Sequence, residues 1–209
     1  MRAFLLSAEL RNGGEEVFCE FEITNGDFSE TRGATLSAED FLKYKLAEGE
    51  IDAGLLDAIF RDAEVYAAFK KGLYLLGYGA SSRKNISYKL KTKGFGESAA
   101  AAAAKMLCKK GFIDEARDAA RLAEICTAKL CGKKKIAAHL FEKGYGQEIV
   151  ASVIAGLDEE EMTENCACLI AKKYGGIPAD RAEREKMFAF LMRYGYTGDT
   201  IKSAISLLK

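Results

Sequence analysis

The sequence predicts a mostly α-helical protein. The expected form is a tandem array of three three-helix modules in an elongated, curved arrangement, preceded by a small N-terminal β-hairpin or β-sheet region. Three observations carry this. One phrase is said three times, as KLKTKGF (89–95), HLFEKGY (139–145) and FLMRYGY (190–196), at offsets of 50 and 51 residues. Apolar residues alternate singly near the N-terminus and then recur at intervals of three or four from about Ser37. Pro178 is the only proline in 209 residues, so little interrupts helices in the remainder.

The β region comes first. FLLSAEL and VFCEFEI flank Asn12-Gly13-Gly14, a turn signal between two strand-like runs. Val17, Cys19, Phe21 and Ile23 alternate with Phe18, Glu20 and Glu22, the period of a half-buried strand. TNGD (24–27) marks a second turn, and FSETRGATL is read as a third short strand. Ser37 with Asp40 then forms a helix-start signal. FLKYKLAEGE reads as a short helix ending at Gly49, and the helical pattern resumes to about residue 79 with a break expected near 63–66.

The three phrases align well beyond their ends. Ile86, Ile136 and Met187 correspond, as do Leu90, Leu140 and Leu191, then Gly94, Gly144 and Gly195, then Phe95, Tyr145 and Tyr196. Two apolar residues four apart lie on one helix face, and a glycine four further on is the usual left-handed cap. Ala100, Val150 and Ile201 continue the match in a following helix. A longer helix precedes each phrase, at about 67–79, 114–130 and 159–174. The expected organisation is a β region over 1–36, a helical connecting segment over 37–66, and modules over 67–110, 111–158 and 159–209. ESAAAAAAKML (97–107) reads as a helix whose small side chains permit close packing, hence core or module contact.

Composition narrows the function classes. The formal net charge is zero, but residues 1–66 hold 15 acidic and 6 basic residues, leaving 16 acidic and 25 basic in the rest of 31 each. Such a split points to two parts with different roles. No run of about 18 apolar residues spans a membrane. MRAFLL is followed too soon by Glu9 and Arg11 for a signal peptide, which predicts a cytoplasmic protein. Six cysteines lack zinc-type C-x2-C pairs, and His139 is the only histidine, so neither a metal site nor a histidine-based catalytic triad is expected. GYGASS and GFGES lack a full dinucleotide fingerprint, and CGKKK lacks the glycine and hydroxyl residue of a phosphate loop. No catalytic residue and no cofactor is assigned.

Recurring cations remain. Arg83, Lys133 and Arg184 align at the start of each module's middle helix, with Lys84, Lys134 and Lys135 beside them. Lys93 and Lys143 fall near the helix C-terminus, where a cation favours the dipole. At a helix start a cation opposes the dipole, so that cluster predicts an external anionic partner. Arg117 and Arg121, on the preceding helix of the second module, complete the candidate partner-binding set.

At these residues the chain resembles the RecX regulators of the RecA recombinase. SRKNISYKL (82–90) is similar to the family's first-module pattern S-x-x-E-L-x-x-K-L at Ser82, Ile86, Lys89 and Leu90. GFIDEARDAARLAEI leading to GKKKIAAHLFEKGYGQEIV resembles the middle module at Gly111, Asp114, Gly132, Ile136, Leu140, Lys143 and Gly144, and LMRYGY resembles the closing module. Asp118 stands where an aromatic is usual, Asn85 where Glu is usual, and Tyr194 where a basic residue usually precedes the last glycine. The resemblance implies a non-enzymatic protein, expected as a monomer. It implies binding to RecA filaments on single-stranded DNA, limiting recombination and the co-protease activity of the SOS response. The middle-helix cations would then meet acidic RecA surface or DNA phosphate, single- or double-stranded. Read without the resemblance, the residues also fit a helical-repeat binding module for another protein partner, or a direct nucleic-acid binder.

Overall fold

The computed structural model describes residues 2–209. Alternation in the first segment builds a four-stranded antiparallel sheet of order β3-β2-β1-β4, from β1 (Arg2–Arg11), β2 (Glu16–Asn25), β3 (Phe28–Ser37) and β4 (Gly49–Ile51). Val17, Cys19, Phe21 and Ile23 all point into one core with Ala3, Leu5, Ala34, Leu36 and Ile51. A bulge between Leu5 and Ser7 resets the register of β1 against β2 and leaves Leu6 largely in solvent. The third strand is a full ten residues.

Helix α1 (Ala38–Tyr44) starts where Ser37 signals it. The Ser37 hydroxyl accepts the Asp40 amide at 3.0 Å and donates to the Asp40 carboxylate at 2.6 Å. The helix stops at Tyr44 rather than near Gly49, because Lys45 is left-handed (φ 50°). Gly49–Ile51 then pairs with Ala3–Leu5 as β4, inside a stretch whose sequence reads as helix. A three-residue strand has no visible period, and only its partner β1 makes it a strand.

Helix α2 (Ala53–Leu76) runs unbroken through 63–66, where the sequence pattern predicts a break. Its Asp52 side chain caps the Gly54 and Leu55 amides. The first half lays Leu56, Ile59 and Ala63 on the sheet, with Phe60 against Phe21 at 5.6 Å between centroids. The second half turns to α4 (Glu97–Lys109), where a Cβ on Gly72 would lie 2.6 Å from Leu107. The apparent break is a change of packing partner along one helix. The alanine-rich α4 buries Ala99, Ala100, Ala103, Ala104 and Leu107, so its small residues serve close packing.

Two compact units are distinguished: residues up to Gly79 with Ile86–Phe112, and Ala80–Asn85 with Ile113–Lys209. The second unit holds α5 (Glu115–Ala128), α6 (Lys133–Glu142), α7 (Gln147–Ala155), α8 (Glu159–Tyr174), α9 (Arg181–Arg193) and α10 (Gly198–Leu207). Helices α5–α7 share one apolar cluster and α8–α10 another. Helix α3 (Arg83–Thr92) begins among the residues of the second unit and ends among those of the first.

The three phrases adopt one conformation. Ile86, Ile136, Met187, Leu90, Leu140 and Leu191 are all fully buried. Each phrase closes its helix with the same pair of bonds. The aromatic's amide reaches back five residues (Phe95 to Leu90, Tyr145 to Leu140, Tyr196 to Leu191), and the glycine's amide reaches back three. That is the Schellman motif, and it demands a left-handed residue, met by Gly94, Gly144 and Gly195 at φ 94°, 84° and 99°. No helix among the described residues is long and apolar enough to cross a membrane.

Candidate partner-binding surface

The aligned cations sit at a joint that occurs twice in the second unit. In the first, the residues opening α3 meet the loop closing α6. The Ser82 hydroxyl donates to the Lys143 carbonyl at 2.7 Å and accepts the Asn85 amide at 3.2 Å. In the second, the start of α6 meets the loop closing α9. Here the Gly132 amide donates to the Tyr194 carbonyl and the Lys134 amide to the Gly195 carbonyl, both at 3.0 Å. Ser82 aligns with Gly132, and Lys143 and Gly144 with Tyr194 and Gly195, so the contact recurs with the sequence repeat.

Each joint also receives a carboxylate from the first residue of the following helix group. Glu115 opens α5 and accepts the Arg83 amide at 3.1 Å. Glu159 opens α8 and pairs with the Lys133 ammonium at 2.6 Å, which also donates to the Leu157 carbonyl at 2.7 Å. The Lys133 cation at the start of α6 therefore has an anion inside the protein, whereas at the start of α3 the carboxylate meets the Arg83 backbone amide and not its guanidinium. The positive end of α6 faces the carbonyl end of α9, and a carboxylate stands beside each helix start. The inference from dipoles to an external anion fails at Lys133, which is mostly buried and doubly bonded. The two acidic helix starts are legible as Asp114-Glu115 and Asp158-Glu159, but no local signal shows which helix end they reach.

The other candidates differ in setting. Arg83 and Lys84 line a groove of about 750 Å³ together with Gly146, Gln147 and Ile149, in which Glu115 and Glu148 also stand. Lys134 and Lys135 are exposed; the Lys135 ammonium lies over the Tyr194 ring at 3.7 Å. Tyr194 thus occupies the place of a usual basic residue and takes its cation from the neighbouring repeat. Arg117 touches Asp114 and Asp118 at 4.0 and 3.9 Å, while Arg121, one turn on, is exposed. Lys143 is exposed at the end of α6, and its backbone serves the first joint. Arg184 is exposed but sits in the fourth position of α9, which starts earlier than its counterparts, at Arg181. Lys93 is exposed at the end of α3 in the first unit. The set is thus several local groupings, with Arg83–Lys84 and Lys133–Lys135 as the two that a joint organises.

Ionisable groups at the joints are structural in character. The Tyr196 hydroxyl donates to the Leu130 carbonyl at 2.7 Å, and burial raises its pKa. Burial likewise raises the Cys126 thiol, and pushes Cys166 up to about 12. His139 lies 3.3 Å from Glu142 on the surface of α6.

The sequence family described as RecX, third three-helix domain, matches residues 159–205, the span of α8 to α10. A protein of Stenotrophomonas maltophilia named Regulatory protein RecX is 32% identical over 136 residues, covering 65% of this chain and 83% of that one. The chain belongs to the RecX family. A RecX regulatory protein of Clostridium botulinum is 24% identical over 183 residues, covering 86% of this chain and 84% of its own. A crystal structure of regulatory protein RecX has the same fold, with a TM-score of 0.74 at 20% identity over 96% of this chain and 98% of that one. RecX from Lactobacillus salivarius matches with a TM-score of 0.63 at 20% identity, over 69% and 96%. The small antiparallel sheet and the helical array are therefore a RecX fold.

Proposed function

We propose that this RecX family member is a non-enzymatic, cytoplasmic regulator. It binds RecA filaments on single-stranded DNA and restrains their recombinase and co-protease activities. The observation that carries the reading is the match to most of the length of a protein named as the RecX regulator. The repeated joint supports it physically, because helix groups linked in this way present similar surfaces at regular intervals, as a helical partner would require. Within the cation set, Arg83, Lys84, Lys134, Arg121 and Arg184 are exposed and have no carboxylate within ion-pair distance among the described residues, which favours them as contacts. Lys133 serves the fold instead.

The test is ATP hydrolysis by the cognate RecA on single-stranded DNA. Hydrolysis should fall at protein levels well below one per RecA. No change where filaments demonstrably form would overturn the reading.

A further inference from the structure

Strand β3 is an edge of the sheet, paired with β2 on one side and with no strand among the described residues on the other. It runs ten residues, and residues 28–33 are all exposed. A long free edge is a template for another strand, and natural sheets blunt such edges with proline, repelling charges or a cover. β3 has no proline, and its only charges, Glu30 and Arg32, are opposite in sign. Neither has an ion-pair partner within the chain among the described residues; the Arg32 guanidinium lies instead over the Phe60 ring at 4.3 Å.

The turn into β3 fixes which of its backbone groups are free. Gly26 and Asp27 form a two-residue turn, with Gly26 at φ 63°, between the paired residues Asn25 and Phe28. In such a hairpin the residues flanking the turn exchange backbone hydrogen bonds, and the exchange recurs at every second residue. Phe28, Glu30, Arg32 and Ala34 therefore bond β2, whereas Ser29, Thr31, Gly33 and Thr35 turn their amides and carbonyls to the open edge.

We infer that this edge pairs with the same edge of a second copy of the chain, antiparallel about a twofold axis at Thr31. The register sets Thr31 opposite Thr31, Ser29 opposite Gly33 and Glu30 opposite Arg32. The twofold axis forms the Glu30–Arg32 pair twice, at the positions where facing side chains approach most closely. An axis at Glu30 or at Arg32 would set like charges face to face, and one at Ser29 or Gly33 would leave both charges without an opposite.

The same register seats an exposed ring. Alternation places Phe28 on the face of β3 that carries the core residues Ala34 and Leu36, yet its ring is 65% exposed. Across the axis it stands opposite Ala34 of the second copy. Ala34 lines a groove of about 1060 Å³ between β3 and α2, with Gly33, Thr35, Phe60, Ala63 and Ala67 around it. These small side chains leave room for a ring, so pairing the backbones also covers Phe28. The two sheets become one continuous sheet, and a chain whose family resemblance implies a monomer becomes a dimer. The inference concerns the chain alone and does not rest on recombinase binding.

The experiment is sedimentation velocity of the full chain over a series of protein concentrations. The weight-average mass should rise from monomer to dimer and stop there. Glu30→Arg should weaken self-association about tenfold, because two cross-strand pairs change from attractive to repulsive. Glu30→Arg/Arg32→Glu should restore it, since each new charge again faces its opposite. Thr31→Pro removes an amide from the free edge and none from the β2 ladder, so it should abolish the dimer while circular dichroism shows a folded chain. A monomer at every concentration would overturn the proposal and leave the edge to a strand of another protein. So would a dimer indifferent to Glu30→Arg and Thr31→Pro, or a double variant no better than the single one.

Discussion

The two joints of the second unit have one geometry and different chemistry. At the first, a side-chain hydroxyl bridges two helices, from Ser82 to the Lys143 carbonyl, and a Cβ on Gly144 would crowd that hydroxyl at 2.8 Å while keeping ordinary contact distances of 3.5 and 3.6 Å to the Lys84 Cβ and the Asn85 amide nitrogen. At the second, backbone lies on backbone: a Cβ on Gly132 would lie 2.5 Å from the Gly195 carbonyl oxygen, and one on Gly195 would lie 2.7 Å from the Gly132 carbonyl oxygen. A hydroxyl at the end of a short side chain can swing away, whereas two apposed backbones cannot. The comparison teaches that an aligned pair such as Ser82 and Gly132 can preserve a contact while changing its tolerance.

Substitutions at the joints test that difference, beginning with the largest effect. Gly195→Ala meets both a left-handed backbone, costing about 1–2 kcal/mol, and a backbone overlap worth about 1–3 kcal/mol more. Urea unfolding should show a loss of about 2–5 kcal/mol, and a loss below about 1 kcal/mol would break the account. Gly144→Ala pays the same left-handed cost but meets a movable group, so its loss should stay near 1–2 kcal/mol. Combining it with Ser82→Gly should reveal a coupling of at least about 0.5 kcal/mol, and strict additivity would mean the two positions do not touch.

The internal pairing of Lys133 predicts a split between neighbours. Lys133→Ala should cost about 1 kcal/mol through the lost Leu157 carbonyl bond, the exposed Glu159 partner adding little. Lys134→Ala, on open surface, should stay within about 0.5 kcal/mol while weakening partner binding. The reverse pattern in thermal melts would mean that the joint does not depend on Lys133.

The smallest effect separates the joints from the sheet region. The hydroxyl and amide bonds between middle helices do not titrate. In the first unit, buried Glu16 bonds Lys70 at 2.6 Å and takes a hydrogen bond from Tyr66, and the Lys70 bond foremost holds its pKa below the ordinary value despite burial. Its stabilisation is therefore complete above the unfolded glutamate pKa of about 4.3 and is lost as pH falls through the lower folded value. Glu16→Gln should flatten that acid-side decline in unfolding free energy; an unchanged slope would show the pair to be inert.

Much of this was legible along the chain. The left-handed glycines, the buried pairs such as Ile136 and Leu140, the Ser37 cap and the close-packing α4 each follow from residues within a turn or two of one another. Strand β4 and the unbroken α2 were not legible. One depends on pairing with β1, and the other changes partners from sheet to helix without changing conformation. The seat of the Lys135 ammonium on the Tyr194 ring was not legible either, because the two residues lie on α6 and α9 and are 59 positions apart in the chain.

The sequence by itself determined the repeat, its caps and its apolar faces, since helix period and the left-handed cap are properties of a few consecutive residues. Only the tertiary structure decided which cations remain open to a partner. Lys133 is used up and Lys134 is not, because a lysine's partner is chosen by distance in space, and Glu159 comes from 26 residues further along the chain.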